Sequence, residues 1–217
     1  SMSEFIAAKS EKKKILASGY TQSKRNMEIV SITAFCAVLV INVYMSVPYW
    51  SFKNLITICV ASGCGMLGAD WISGMLHWAA DTWGTTSWPV VGNTFIRSFR
   101  EHHVDPTAMT KHDIIETNGD NCLVSVFFLL APHLVCNTNM FSILKGVESA
   151  PMDNYQIFKL FFWTFVGIYA GLTNQIHKWS HTYQPPAFVC FLQDYNIILG
   201  RKNHNIHHKN PFDRHYC

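Results

Sequence analysis

The sequence predicts an all-α integral membrane protein: about four transmembrane helices carrying a cytosolic, histidine-rich di-metal cap. Three observations predict it. Long uncharged runs alternate with polar, basic segments. Nine of the eleven histidines fall at or beyond one set of run ends. Most of those nine recur at helical spacing. Charged residues make up 14% of the chain and hydrophobic ones 49%. The mean hydropathy of +0.09 suits a few spans joined to a polar part. A net charge of +3 is too mild for nucleic acid, and no aromatic–basic recognition pattern is present.

Residues 1–26 form a polar, basic arm with Lys9, Lys12, Lys13, Lys14, Lys24 and Arg25, expected to be mobile or to lie on a surface. Residues 27–217 are expected to form a single membrane domain. The first span is 29–50, free of charge and ended by Val47, Pro48, Tyr49 and Trp50 as stop and aromatic belt. The second is 55–81. It continues without a breaker past Asp70 to Asp81, with Gly63, Gly65, Gly68 and Gly74 to permit close helix packing. Residues 82–120 read as loops with short helices outside the lipid. The third span is 121–136, interrupted by Pro132 and His133, and 137–154 is a polar connection. The fourth is 155–176, with Lys159 placed to snorkel. Residues 177–217 are polar apart from 187–192, which is too short to span.

Basic residues set the orientation. The arm, the 82–120 region (Arg97, Arg100, Lys111) and the segment after the fourth span (Lys178, Arg201, Lys202, Lys209, Arg214) are basic; the two other connections carry only Lys53 and Lys145. The positive-inside rule puts the basic regions, including both termini, in the cytosol. No apolar core with a cleavage site precedes the first span, so no cleavable signal peptide is expected. The seven cysteines form no CxxC pair and read as reduced and structural.

That orientation gathers His77, His102, His103, His112, His177, His181, His204, His207 and His208 on one membrane face, leaving out His133 and His215. His77 and Asp81 are four apart, as are His177 and His181. His204, His207 and His208 follow an i, i+3, i+4 pattern, which on a helix turns their rings to one side. Such a face makes poor core and an odd surface, whereas neutral imidazole is the commonest nitrogen ligand for metals. One ion rarely needs more than four protein ligands, so this many imidazoles imply two ions. A mostly nitrogen donor set suits iron and oxygen chemistry, and zinc can replace iron in purified protein. Asp81 is a ligand or orients one. His112 and Asp70 are candidates for the metal or for residues behind it, Asp70 because it shares a helical stripe with Gly74, His77 and Asp81. Arg97, Arg100, Lys178, Arg201 and Lys202 are candidates for phosphate contact or for docking an acidic electron donor, with ordinary cytosolic charge as the plain alternative.

Five segments together resemble the Kua, or plasmanylethanolamine desaturase, family: Asp70-Trp-x-Ser-Gly-x-x-His77-Trp-x-x-Asp81-Thr-Trp-Gly, Arg100-Glu-His-His-Val-Asp-Pro-Thr-Ala, His112-Asp-x-Ile-Glu-Thr-Asn-Gly-Asp-Asn121, Thr173-Asn-Gln-Ile-His-Lys-Trp-Ser-His181 and His204-Asn-Ile-His-His208. The resemblance runs from about residue 60 onward. It implies an endoplasmic-reticulum enzyme that inserts the vinyl-ether double bond into the alkyl chain of a plasmanyl ether phospholipid, giving a plasmalogen. O2 and electrons from cytochrome b5 are implied with it, and so are His177/His181 and His204/His207/His208 as histidine boxes. His77, Asp81, His102 and His103 fall on matching positions. A chloroplast branch that looks similar desaturates an acyl chain instead. The family pattern continues past the point matching Tyr216–Cys217, so the chain is expected to be truncated at its C-terminal side.

Histidine spacing alone leaves acyl desaturation and lipid hydroxylation open, since both begin with hydrogen abstraction. A metal transporter is a weaker rival, because it would want ionisable residues at mid-span rather than at span ends.

Overall fold

The computed structural model describes residues 1–136, 151–209 and 216. The 137–150 part of the polar connection, with Lys145, and His215 lie outside the described residues. Among the described residues eight α-helices follow in order: α1 (Met2–Ser18), α2 (Gln22–Ser46), α3 (Leu55–Trp83), α4 (Arg97–Val104), α5 (Ile114–Val135), α6 (Asn154–His181), α7 (Ala187–Asp194) and α8 (Arg201–His207). There is no strand among the described residues. Four helical stretches, Gln22–Tyr49, Phe52–Trp83, Ile114–Val135 and Asn154–His181, are long and apolar enough to cross a membrane.

The helices start where the local chemistry lets them. The Thr21 hydroxyl accepts from the Lys24 N–H at the head of α2. Before α5, one Asp113 oxygen accepts from the N–H groups of Ile115 and Glu116, each at 3.0 Å. That cap explains why α5 begins at Ile114 rather than 121: the polar residues 114–120 are helix, not loop. At α6, Asp153 and Gln156 exchange side chain-to-backbone hydrogen bonds of 2.8 and 3.2 Å, a reciprocal cap. α6 then runs on to His181, past the expected 176, because nothing in the polar stretch Thr173–His181 breaks a helix. Pro132 falls near the end of α5 and does not interrupt it. The arm is a helix: α1 opens on a capping box between Ser1 and Glu4 and packs against α4. Cys36, Cys59, Cys64, Cys122, Cys136 and Cys190 are free thiols.

The chain divides into two compact units. One holds Ile29–Ile72 and Gly119–Leu172, the apolar lengths of the four long helices. Its core joins Ile58 and Ala61 of α3 to Ile157 and Phe161 of α6. A Cβ on Gly65 would lie 2.8 Å from the Phe165 Cβ, and one on Gly167 would lie 2.5 Å from a Leu129 methyl, so these glycines let α6 approach α3 and α5. Buried amides tie the helices further: Asn42 donates to the Leu129 carbonyl at 2.8 Å, and Asn121 to the Ala170 carbonyl at 3.0 Å. Val40, Val43, Val60 and Leu67 stay exposed, as side chains facing lipid would be.

The other unit holds Ser1–Glu28, Ser73–Asn118 and Thr173–Cys217. It contains α1, the last turns of α3 and α6, all of α4, α7 and α8, and every described histidine except His133.

Candidate metal centre

Four helices deliver the donors. α3 contributes His77 and Asp81, α4 His102 and His103, α6 His177 and His181, and α8 with its C-cap His204, His207 and His208. Adjacent residues on a helix point about 100° apart, whereas residues four apart share a face. The structure sorts the side chains accordingly. His102, His177, His181, His204 and His208 form one group; His77, Asp81, His103 and His207 form another. Within each, the donor atoms all lie within 4.8 Å of one another.

In the five-histidine group, ring nitrogens face ring nitrogens. His177 Nε2 lies 3.0 Å from His102 Nε2 and 2.8 Å from His204 Nε2; His204 Nε2 lies 3.0 Å from His208 Nε2. A neutral imidazole has one N–H and one lone pair, so a line of four like atoms cannot be satisfied fully by hydrogen bonds alone. The Nε2 of His181 is buried with no hydrogen-bond partner. Burial first, then the neighbouring imidazoles, hold His102 well below the usual histidine range, push His204 down to about 2 and push His208 down to about 3. The rings are therefore neutral at physiological pH, the form that binds metal. Ligand nitrogens about 2.0–2.1 Å from one ion, at right angles, lie about 2.9 Å apart, matching the distances between these atoms. The donor set fits a metal ion.

The second group is built on the Asp81 carboxylate. His103 Nε2 is 2.9 Å from Asp81 Oδ2, His77 Nε2 is 3.3 Å away and His207 Nε2 is 3.5 Å away. The other oxygen, Oδ1, is buried without a hydrogen-bond partner. His77 Nδ1 lies 2.7 Å from the Tyr216 carbonyl oxygen, which can only accept, so Nδ1 carries the proton. That leaves a lone pair on Nε2, directed at the carboxylate. A lone pair facing an anion needs a cation between them, so this set too fits a metal ion. The Tyr216 ring packs on His207 and His77 at centroid distances of 4.8 and 5.6 Å, and Phe99 covers His77 at 5.1 Å.

Arg100 reaches two backbone oxygens. Its Nη2 donates to the Gly84 carbonyl at 2.5 Å and to the Asp81 carbonyl at 3.3 Å, stapling α4 to the end of α3. Lys178 donates to the His112 carbonyl at 2.5 Å. Both side chains give a donor to backbone oxygens. Arg97 is buried and donates to Glu101 at 2.7 Å. Arg201 and Lys202 are exposed, with the Arg201 guanidinium over the Tyr183 ring. His112 joins neither donor group; its Nε2 faces Glu116 at 3.5 Å. Asp70 joins neither and is exposed. It shares a stripe with His77, but seven residues at 1.5 Å each put it about 10 Å back along the axis. Sequence reasoning missed Tyr216, because a lone tyrosine acting through its ring and its backbone carbonyl has no motif.

Comparison with known proteins reports on the same residues. The model of the lipid desaturase domain family matches residues 66–217, which include every donor above. Plasmanylethanolamine desaturase 1 of Mus musculus is 41% identical over 205 residues, covering 93% of this chain and 72% of that protein. Plasmanylethanolamine desaturase of Myxococcus xanthus is 40% identical over 206 residues, covering 94% and 67%. Fatty acid desaturase 4, chloroplastic, of Arabidopsis thaliana is 31% identical over 163 residues, covering 73% and 44%. No solved structure matches.

Proposed function

The chain belongs to the lipid desaturase domain family, and from that premise we propose that it forms plasmalogens by desaturating plasmanyl ether phospholipid at a di-iron centre. It is a multi-pass membrane oxidoreductase. The alkyl chain loses one hydrogen from each of the two carbons next to the ether oxygen. O2 takes up four electrons, two from the substrate and two from a donor, and with two protons leaves as two waters. The observation that carries the metal part is the pairing of a five-imidazole group with a three-imidazole, one-carboxylate group inside the family match.

His102, His177, His181, His204 and His208 would hold one iron, and His77, Asp81, His103 and His207 the other. Iron supplies the oxygen activation that side chains cannot, since an unactivated C–H bond yields to none of them. The chain's own residues do the rest. Tyr216 and Phe99 fix the ring of His77, and the Tyr216 carbonyl keeps its proton on Nδ1. Asp81 gathers three imidazoles on one oxygen. Full burial of His204 and His207 keeps water from their nitrogens.

Electrons come from a cytochrome b5-type donor, for which exposed Arg201 and Lys202 are candidate contacts. The membrane is that of the endoplasmic reticulum, with the histidines on the cytosolic face; the distribution of Lys and Arg supports that orientation. A second reading, desaturation of a fatty acyl chain, is favoured by the weaker similarity to fatty acid desaturases such as the chloroplast protein.

The test is metal analysis and product analysis on purified protein. About two irons per chain are expected, with His207→Ala losing the iron of the second group and formation of the vinyl ether from an alkyl-ether phospholipid. Zinc in the same sites would mark replacement during purification, corrected by reconstitution with ferrous iron. Metal-free wild-type protein that resists reconstitution, or a His207→Ala variant with full activity, would sink the reading. Turnover of acyl lipid but not ether lipid would favour the second.

A further inference from the structure

Helix α4 gives a donor to each group, His102 to the first and His103 to the second, as α8 does with His204 and His207. Both ends of α4 are held by the N-terminal arm. At its first residue, Arg97 Nη1 donates to the Leu16 carbonyl at 3.0 Å, across the end of α1, and to Glu101 one turn on at 2.7 Å. Both Arg97 and Glu101 are buried. At its C-cap, Asp105 pairs with Lys13 of α1 at 2.5 Å.

The bend between α1 and α2 is shaped to the same arginine. A Cβ on Gly19 would lie 2.6 Å from Arg97 Cδ, and the Arg97 guanidinium stands 5.7 Å from the centre of the Tyr20 ring. The Tyr20 hydroxyl in turn donates to buried Glu28 at 2.6 Å, and Glu28 lies 3.4 Å from Lys24. A mobile or merely surface-lying tail has no need of a buried guanidinium seated on its backbone carbonyl.

We propose that α1 is a positioning element for both metal groups, clamping α4 through Leu16–Arg97–Glu101 at one end and Lys13–Asp105 at the other. It acts through His102 and His103 and touches neither substrate nor metal. The inference rests on the proposed metal sites only in its consequence, since the clamp itself can be read separately.

Two measurements on full-length protein separate the clamp from the metal reading. The first is amide hydrogen exchange at residues 97–105. The second is iron retained per chain against a competing chelator, with circular dichroism to establish that each variant folds. Arg97→Lys keeps the charge but loses the fork that reaches both Leu16 and Glu101. It is expected to speed exchange and weaken iron retention about 10-fold or more, the usual cost of losing support behind a ligand. Lys13→Asp and Asp105→Lys alone are each expected to shift both readouts the same way by less, and the double exchange Lys13→Asp/Asp105→Lys to restore them. Unchanged exchange in Arg97→Lys and in the single reversals would overturn the clamp, as would faster exchange with undiminished iron. If wild-type protein takes up no iron, the metal reading fails, and the exchange data alone then decide whether α1 holds α4.

Discussion

The two donor groups solve the same problem with different chemistry. The first is five imidazoles and no anion; the second replaces imidazoles with the Asp81 carboxylate. In the first, four Nε2 atoms crowd one another at 2.8–3.0 Å, with too few protons to satisfy them all. In the second, the carboxylate gives His103 a conventional partner at 2.9 Å. Without an ion, the first group has little to hold it together except the packing of its helices, whereas the second keeps a hydrogen-bonded nucleus. An all-imidazole site is also the softer and less negative of the two, so ions held in them would not be equivalent.

The comparison can be broken from several sides. The largest effect is expected from His204→Ala, which removes a fully buried ring whose Nε2 neighbours two others. Iron should fall from about two to about one per chain, and vinyl-ether formation should drop below detection; metal analysis and lipid chromatography read the two. Asp81→Asn keeps the shape but removes the anion, and should weaken the second site by at least about 10-fold while sparing the first. A chelator titration with two resolved steps would show this, and equal weakening of both steps would contradict the assignment of Asp81 to one group. Arg100→Ala strips two backbone carbonyls of their donor and should cost about 1–3 kcal/mol of stability. Thermal unfolding measures it. The smallest effect is expected from Tyr216→Ala, which keeps the carbonyl that orients His77 but removes the ring packed on His77 and His207. The second site should loosen by less than for Asp81→Asn, with the first unchanged in the same titration.

Much of this was legible in the residues. Charge-free runs marked the four long helices because a membrane span must be apolar over its length. Spacing marked the histidines because a helix puts residues four apart on one face, and the face of α8 is as the i, i+3, i+4 pattern required. What periodicity cannot give is depth or partner. It placed Asp70 on the stripe of His77 but said nothing of the rise between them. It split no histidines into groups, because His102 and His103 are neighbours in sequence and part only in three dimensions. The carbonyl contacts of Arg100 and Lys178 could not be read from sequence, because a backbone carbonyl is carried by every residue and announced by no motif. The start of α5 was missed for a similar reason: Asp113 as a cap outweighs the polarity of the turn that follows it. The arm read as a tail because its lysines hide Leu16 and Gly19, the two positions that receive Arg97.

The adjacency of His102 and His103 has a consequence for electron traffic. Their α-carbons are one peptide apart, about 3.8 Å, yet their rings belong to different groups. The separation of the two donor groups is therefore set in part by covalent geometry rather than by tertiary packing. A change in bond lengths when one ion gains an electron would turn α4 and be felt by the other within the same rigid turn of helix. Ions held by the two groups would be coupled mechanically through α4, so the two sites are expected to respond to a change at either one as a unit.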